Sequence, residues 1–200
     1  AATVSNGNIY FSVDGGNAWE TWTSAGVRNW FGITCSPDFS VIAAMVNGDY
    51  LYISRNSGTT WSALTGMGSR NWCGLAASAN FAKMATADAS GYLYTSTDGG
   101  VTWTALTSLG VRVWVGVTST PDFSKLAATV ANDNVYFTVD GGNAWATWTS
   151  AGVRNWVGIA CSPDFSKIVA AANGDYLYLS SNGGTTWSSL TSAGSRKWLS

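Results

Sequence analysis

Hydrophobic residues in this chain come in short runs separated by clusters of Gly, Asn, Asp and Ser. Residues 28–64 set out the pattern. A β-rich run at 28–34 (strand A) is followed by Ser36-Pro37-Asp38-Phe39. That tetrad reads as a turn, since Pro presets φ at its second position and Asp bonds locally. Residues 41–46 read as strand B, and Asn47-Gly48 is the strongest two-residue hairpin signal. Residues 50–54 form strand C, with Tyr50 and Tyr52 on one face, and Asn56-Ser57-Gly58 turns the chain into strand D at 60–64. No stretch keeps a helical period over a useful length. Strands A and D carry large apolar groups on both faces, as Phe31 beside Trp30 shows, which suits a sheet buried on both sides.

The pattern is a repeat. Asp14-Gly15-Gly16, Asn56-Ser57-Gly58, Asp98-Gly99-Gly100, Asp140-Gly141-Gly142 and Asn182-Gly183-Gly184 recur every 42 residues without insertion or deletion. Each stands three residues before a Trp: Trp19, Trp61, Trp103, Trp145 and Trp187. An Arg-x-Trp follows each time: Arg28/Trp30, Arg70/Trp72, Arg112/Trp114, Arg154/Trp156 and Arg196/Trp198. Residues 14–55 match 140–181 at 33 of 42 positions, which suggests a duplicated three-unit block or a sequence assembled by design. Four strands per 42 residues is the signature of a propeller blade. Gly32, Gly74, Gly116 and Gly158 recur in strand A, where blades converge on a channel and side chains have little room. An open solenoid would need polar caps, and none is visible.

The strand order suggests how a ring closes. The chain starts inside a unit, with strands B, C and D at 1–6, 8–13 and 18–22, and ends after a short strand A at 196–200. The expected fold is an all-β, five-bladed β-propeller over 1–200, with four antiparallel strands per blade. Its blades span 28–64, 70–106, 112–148 and 154–190, and a fifth joins 196–200 to 1–22. Five full units need ten residues more than the chain has, and these fall at the end of strand A and its turn, where a break is least costly. Closure predicts a monomer, with a strand-swapped oligomer as the alternative.

Composition narrows the chemistry. The chain has no His, which removes the Ser-His-Asp triad, His-ligated zinc and His acid–base catalysis. Ten Lys and Arg against eleven Asp and Glu leave no broad basic face for nucleic acid or anionic lipid. No apolar run approaches membrane-helix length, and residues 1–11 show no leader pattern. Cys35, Cys73 and Cys161 make an odd set, expected as buried free thiols.

Ser12-Val13-Asp14-Gly15-Gly16-Asn17-Ala18-Trp19 and Ser96-Thr97-Asp98-Gly99-Gly100-Val101-Thr102-Trp103 resemble the Asp-box of sialidases and other BNR-repeat propellers. Asn56 and Asn182 replace the Asp, and Ala18 and Ala144 replace the Thr. The resemblance implies a structural box: the Asp bonds backbone N–H groups of its own turn, the Trp packs between strands, and the ligand face lies opposite. It also implies an extracellular setting. Sialidase chemistry needs an arginine triad, a Tyr–Glu pair and an acid, on blades that differ. Here Glu20 is the one Glu, and five of six arginines are the repeated one. No enzyme activity is expected.

Three sets of residues remain as candidates. The Arg-x-Trp pairs share a face with the B–C turns (Asn47-Gly48-Asp49, Asn173-Gly174-Asp175), opposite the boxes. Forked donors beside indoles suit carboxylates, sulfates or sugar rings. The same residues equally suit blade packing, with Arg on a neighbouring Trp or paired with an Asp such as Asp49. Trp22 and Trp148, which replace Leu64, Leu106 and Leu190, are either sugar platforms or fillers between blades. Asp14, Asp49, Asp140 and Asp175 offer one carboxylate per turn, short of what calcium needs, so no metal or cofactor is expected. The expected function is a non-catalytic scaffold, with glycans first because repeated sites gain avidity. The alternatives are a propeller binding protein partners, and a repeat-engineered or fragment-derived propeller with no selected ligand.

Overall fold

The computed structural model describes residues 1–199. Three strands, β1 (Ala2–Thr3), β2 (Ile9–Phe11) and β3 (Glu20–Trp22), form the first antiparallel unit. Four four-stranded units follow. They are β4 (Trp30–Cys35), β5 (Ile42–Asp49), β6 (Leu51–Ser54) and β7 (Ser62–Leu64); then β8 (Arg70–Ala77), β9 (Met84–Asp88), β10 (Leu93–Ser96) and β11 (Thr104–Ala105). Next come β12 (Trp114–Ser119), β13 (Leu126–Asp133), β14 (Val135–Thr138) and β15 (Ala146–Trp148). The last unit is β16 (Arg154–Cys161), β17 (Ile168–Ala172), β18 (Leu177–Ser180) and β19 (Ser188–Ser189). Registers repeat between units: Ile42 faces Ser54, Met84 faces Ser96, Leu126 faces Thr138 and Ile168 faces Ser180. The long β5 and β13 reach past their own units to pair with β8 and β16.

Each A–B ladder skips one residue, between Trp30 and Gly32, Trp72 and Gly74, Trp114 and Gly116, and Trp156 and Gly158. A bulge of this kind kinks a strand and re-aims a side chain. It leaves Phe31, Cys73, Val115 and Val157 outside the ladder. The glycine that follows answers a close approach: a Cβ on Gly74 would sit 2.8 Å from the Val117 backbone nitrogen, so its absence lets β8 and β12 meet.

The core lies within and between the units. Trp72, Trp114 and Trp156 are fully buried, each edge-on to a Tyr of its own unit, Tyr94, Tyr136 and Tyr178. Trp22 and Trp148 are buried too. They stack on Phe11 and Phe137 at 4.4 and 4.5 Å and cover Gly58 and Gly184 of the following unit. The predicted A–B turns hold an aromatic residue at positive φ, with Phe81 at 55° and Phe123 at 61°. Asn80 and Asp122 side chains accept the N–H groups of Ala82 and Ser124 and brace that strained conformation, while both rings are buried.

The closing strand differs from the expectation. Ser200 lies outside the described residues. Arg196 bridges Asp175, but residues 197–199 join no ladder, and among the described residues β1 pairs with β2 alone. The repeat frame explains this. Trp30, Gly32, Ile33 and Thr34 face Val46, Met45, Ala44 and Ala43. One repeat length over, the counterparts of Trp30 and Val46 are Trp198 and Val4, and among the counterparts of these four pairs only that one lies wholly within the described residues. One described pair cannot hold a ladder, and the Trp198 N–H turns back to the Arg196 carbonyl at 3.0 Å.

Candidate functional site

The units have two distinct ends. At one, the C–D turns carry the Ser-x-Asp motif. Ser12 Oγ donates to Asp14 and accepts the Gly16 N–H at 2.8 Å, and the Asp14 carboxylate accepts the Ala18 N–H at 2.9 Å. The same bonds recur at Ser54/Asn56, Ser96/Asp98, Thr138/Asp140 and Ser180/Asn182. The indoles of Trp19, Trp61, Trp103, Trp145 and Trp187 each donate to the carbonyl of their turn glycine, at 3.0 to 3.1 Å. These carboxylates are held low by the donors they accept. The Thr102 hydroxyl and N–H, with Ser96, bring Asp98 to about 2. The A–B turns lie at the same end, since the N–H groups of Ser57, Gly99, Gly141 and Gly183 donate to carbonyls of Ser40, Ala82, Ser124 and Ser166. There the Ser36 and Thr120 hydroxyls lead in bringing Asp38 and Asp122 to about 2. Asp14, Asp49, Asp140 and Asp175 join no group of three metal-ligating side chains among the described residues.

The opposite end holds the B–C turns and the D–A connections, tied by Ser69 and Ser195 hydroxyls donating to the Gly48 and Gly174 carbonyls. Each D strand runs into a single 3-10 turn that closes on a glycine at positive φ, as Gly26 does at 74° and Gly68 at 75°. The repeated arginine is anchored there. Nε of Arg28, Arg70, Arg112, Arg154 and Arg196 donates to the carbonyl of Ala25, Met67, Leu109, Ala151 and Ala193. Four guanidinium groups then pair with an Asp of their own unit: Asp49 at 3.5 Å, Asp88 at 3.4 Å, Asp133 at 2.8 Å and Asp175 at 2.8 Å. The same four lie over Tyr52, Tyr94, Tyr136 and Tyr178, 4.0 to 5.2 Å from the ring centroid. Burial opposes ionisation of Asp175, yet the Tyr178 hydroxyl, the Tyr176 N–H and Arg154 together hold its carboxyl below the usual range. Arg196 keeps its anchor, but Gly7 stands at the position of Asp49, and no described carboxylate reaches it.

Trp30, Trp72, Trp114 and Trp156 are at most 2% exposed and offer no ring face to a ligand. Trp198 is half-buried and donates to the Asp175 carbonyl at 2.9 Å, as Trp72 does to Asp49. What the sequence reading missed is a recess of about 540 Å³ at this end. It is lined by the four bulged residues, Phe31, Cys73, Val115 and Val157, and by Leu199 at the fifth equivalent position. Ala89 and Asn173 from the B–C turns, with Val113, line it as well. The signal was present in the residue between Trp and Gly of each strand A, apolar or Cys in every unit. Cys73 is held as a thiol, its pKa pushed up to about 12 by burial, and donates to the Trp114 carbonyl. All three cysteines are free and half-buried.

No family model and no curated protein sequence matches the chain. Solved structures do. A xyloglucanase of the GH74 type from Xanthomonas campestris superposes with a TM-score of 0.72 at 17% identity, over 91% of this chain and 36% of that one. YCF48 bound to a D1 peptide gives 0.65 at 19% identity, over 90% and 59%. A chain of a nidogen/laminin complex gives 0.72 at 14% identity, over 90% and 70%. The chain thus spans about a third of the xyloglucanase and about three fifths of YCF48. At these identities the likeness concerns architecture, and with the repeated antiparallel units it establishes a β-propeller fold.

Proposed function

We propose that the chain is a five-bladed Asp-box propeller acting as a non-catalytic docking protein, which takes an extended segment of a partner protein across the channel end with an apolar side chain in the recess. The observation that carries this reading is the recess itself. Five equivalent positions, one from each unit, turn apolar groups or a thiol into one concavity, and Phe31 is 47% and Val113 56% exposed there. Its volume of about 540 Å³ falls within the roughly 300–1,000 Å³ of ligand pockets. Val27, Val111 and Val153, in the D–A connections of the same end, add exposed apolar surface. The convergence of five equivalent residues also supports the five-blade count over residues 1–200.

The carboxylates favour binding over hydrolysis, because most serve turns or arginine pairs and the one Glu, Glu20, stands exposed on a short strand. Two of the propeller neighbours were solved with a peptide or a protein partner, YCF48 with a D1 peptide and nidogen with laminin. A glycan site built from Arg-x-Trp draws less support, since four indoles are covered and four guanidinium groups are engaged. Peptides selected from a display library against the folded protein test the reading. Val115→Asp and Val157→Asp, each checked for native circular dichroism, should weaken the selected peptides at least about tenfold, roughly 1.4 kcal/mol. Unchanged binding in both variants, or glycan binding lost with Arg196→Gln, would overturn it.

A further inference from the structure

The polar groups that line the recess are engaged or out of reach, with one exception. The Cys73 thiol donates to the Trp114 carbonyl, the Trp198 indole donates to the Asp175 carbonyl, and Trp114 Nε1 is buried. Asn173 is exposed, and its carboxamide meets no partner among the described residues. Its backbone is held: the Asn173 N–H donates to the Asn155 carbonyl at 2.8 Å, and the Gly174 N–H to the Arg196 carbonyl at 3.0 Å. An open donor and an open acceptor thus border an apolar concavity from a fixed main chain. The residues at this level also depart from the repeat. Asn47, Ala89 and Ala131 are the counterparts of Asn173, and their N–H groups bond the carbonyls of Asn29, Asn71 and Val113, at the middle of Arg-x-Trp. One unit therefore carries Val113 where three others carry Asn. Val113 and Ala89 line the recess, and of the amides at these two positions Asn173 alone does so among the described residues.

Resting on the docking reading, we infer that Asn173 reads one peptide unit of the bound segment, and that Val113 with Ala89 takes a second apolar side chain, two residues from the one in the recess. Two physical points lead there. An extended segment laid over an apolar lining loses water from its own backbone, and a peptide group buried without a partner is costly. The carboxamide of Asn173 offers that group a donor and an acceptor at once, and does so whatever side chain the unit carries. Side chains at i and i+2 of an extended chain lie on one face, about 6–7 Å apart, so both reach one continuous lining. That lining is continued by Val113, 56% exposed, at a position where Asn would interrupt it. The occupant is an extended segment with apolar residues at i and i+2 and a free choice between them.

The probe is a peptide from the display selection, synthesised with blocked ends and weakened by Val115→Asp. Asn173→Ala and Val113→Asn install residues that equivalent positions already carry, so both variants should keep the native circular dichroism. Asn173→Ala should weaken the peptide about three- to tenfold, and Asn47→Ala, at the same repeat position outside the recess lining, should stay within about twofold. An ester replacing one of the two peptide bonds beside the anchor residue should cost the unaltered protein a similar factor and cost Asn173→Ala nothing further. Val113→Asn should weaken the peptide about threefold or more, and should cease to matter once the second apolar residue is Ser. In the unaltered protein the side-chain NH2 resonances of Asn173 should shift on saturation while those of Asn47 stay, which tests the contact without a variant. Unmoved Asn173 resonances, equal effects of Asn173→Ala and Asn47→Ala, ester losses that add to the Asn173→Ala loss at both bonds, or indifference to Val113→Asn overturn the inference, while sensitivity to Val115→Asp keeps the recess reading. Selected peptides indifferent to both Val115→Asp and Val157→Asp overturn the two together.

Discussion

Gly16, Gly58, Gly100, Gly142 and Gly184 occupy one repeat position, so a single substitution carries its own internal controls. All five have positive φ, Gly16 at 95° and Gly58 at 83°. An alanine there meets a left-handed penalty of about 1–2 kcal/mol wherever it stands. What differs is the neighbour. A Cβ on Gly16 finds nothing within 4 Å, whereas one on Gly58 lies 2.2 Å from Trp22 Cε2. That indole cannot retreat, because it is buried, stacked on Phe11 at 4.4 Å and tilted against Trp61 at 5.9 Å. Overpacking of this kind costs about 1–3 kcal/mol. Gly16→Ala should therefore lose about 1–2 kcal/mol and Gly58→Ala about 2–5 kcal/mol. In a chain of this size the gap corresponds to roughly 2–12 °C in melting temperature. Gly100, with Leu64 Cδ1 at 3.0 Å, should fall between them. Urea and thermal melts followed by far-ultraviolet circular dichroism measure the series. Trp22→Leu, the residue carried at 64, 106 and 190, should bring the Gly58→Ala loss down to that of Gly100→Ala. Equal losses at Gly16 and Gly58, or a Gly58 loss that persists with Trp22→Leu, would refute the packing argument.

Acid should find the turns. Asp38, Asp98 and Asp122 sit at about 2 when folded against an ordinary 3.8. A depressed folded value means stability present above about pH 4 and lost as pH falls toward about 2, so the urea midpoint should drop in that window, and less so in Asp98→Asn. Arg154→Gln should lose about 1 kcal/mol, from an ion pair whose partners are each about a third exposed and from a cation–π contact, while Arg196→Gln should stay within about 0.5 kcal/mol; equal losses would contradict the pairing account. The indole of Trp72 donates to the Asp49 carbonyl at 2.9 Å, whereas Trp114 Nε1 is buried without a partner. Trp72→Phe should therefore cost about 2 kcal/mol more than Trp114→Phe in the same melts, and a reversed order would refute the assignment.

Much of the architecture was legible because the 42-residue period holds hairpin signals and apolar runs in fixed phase. Asn47-Gly48 does lie in the B–C connection, with Gly48 at a φ of 75°, but not as a two-residue turn: the β5–β6 ladder ends at Met45 and Leu51, and β5 runs on to Asp49 to pair with β8; the Ser-x-Asp turn bonds its own backbone five times over. The 3-10 turn at Thr23–Ala25 and its counterparts escaped notice because a single turn leaves no period; the recurring Thr-x-x-Gly was its only trace. The recess escaped notice for a related reason. A one-residue bulge shifts Phe31 and its equivalents out of the ladder, and strict alternation along a strand cannot show that. The roles of Arg28 and Trp30 turned on partners distant in sequence, Asp49 and Tyr52, which periodicity does not assign.

The reading of the channel end as a docking site meets its most direct test in methyl-resolved NMR of Val- and Leu-labelled protein, titrated with a peptide selected for binding. The account predicts saturable shifts at Val113, Val115, Val157 and Leu199, which line the recess, and none at Val13, Val101 and Val139 beside the Ser-x-Asp turns. Shifts confined to the turn end, or binding that leaves the recess methyls unmoved, would contradict it.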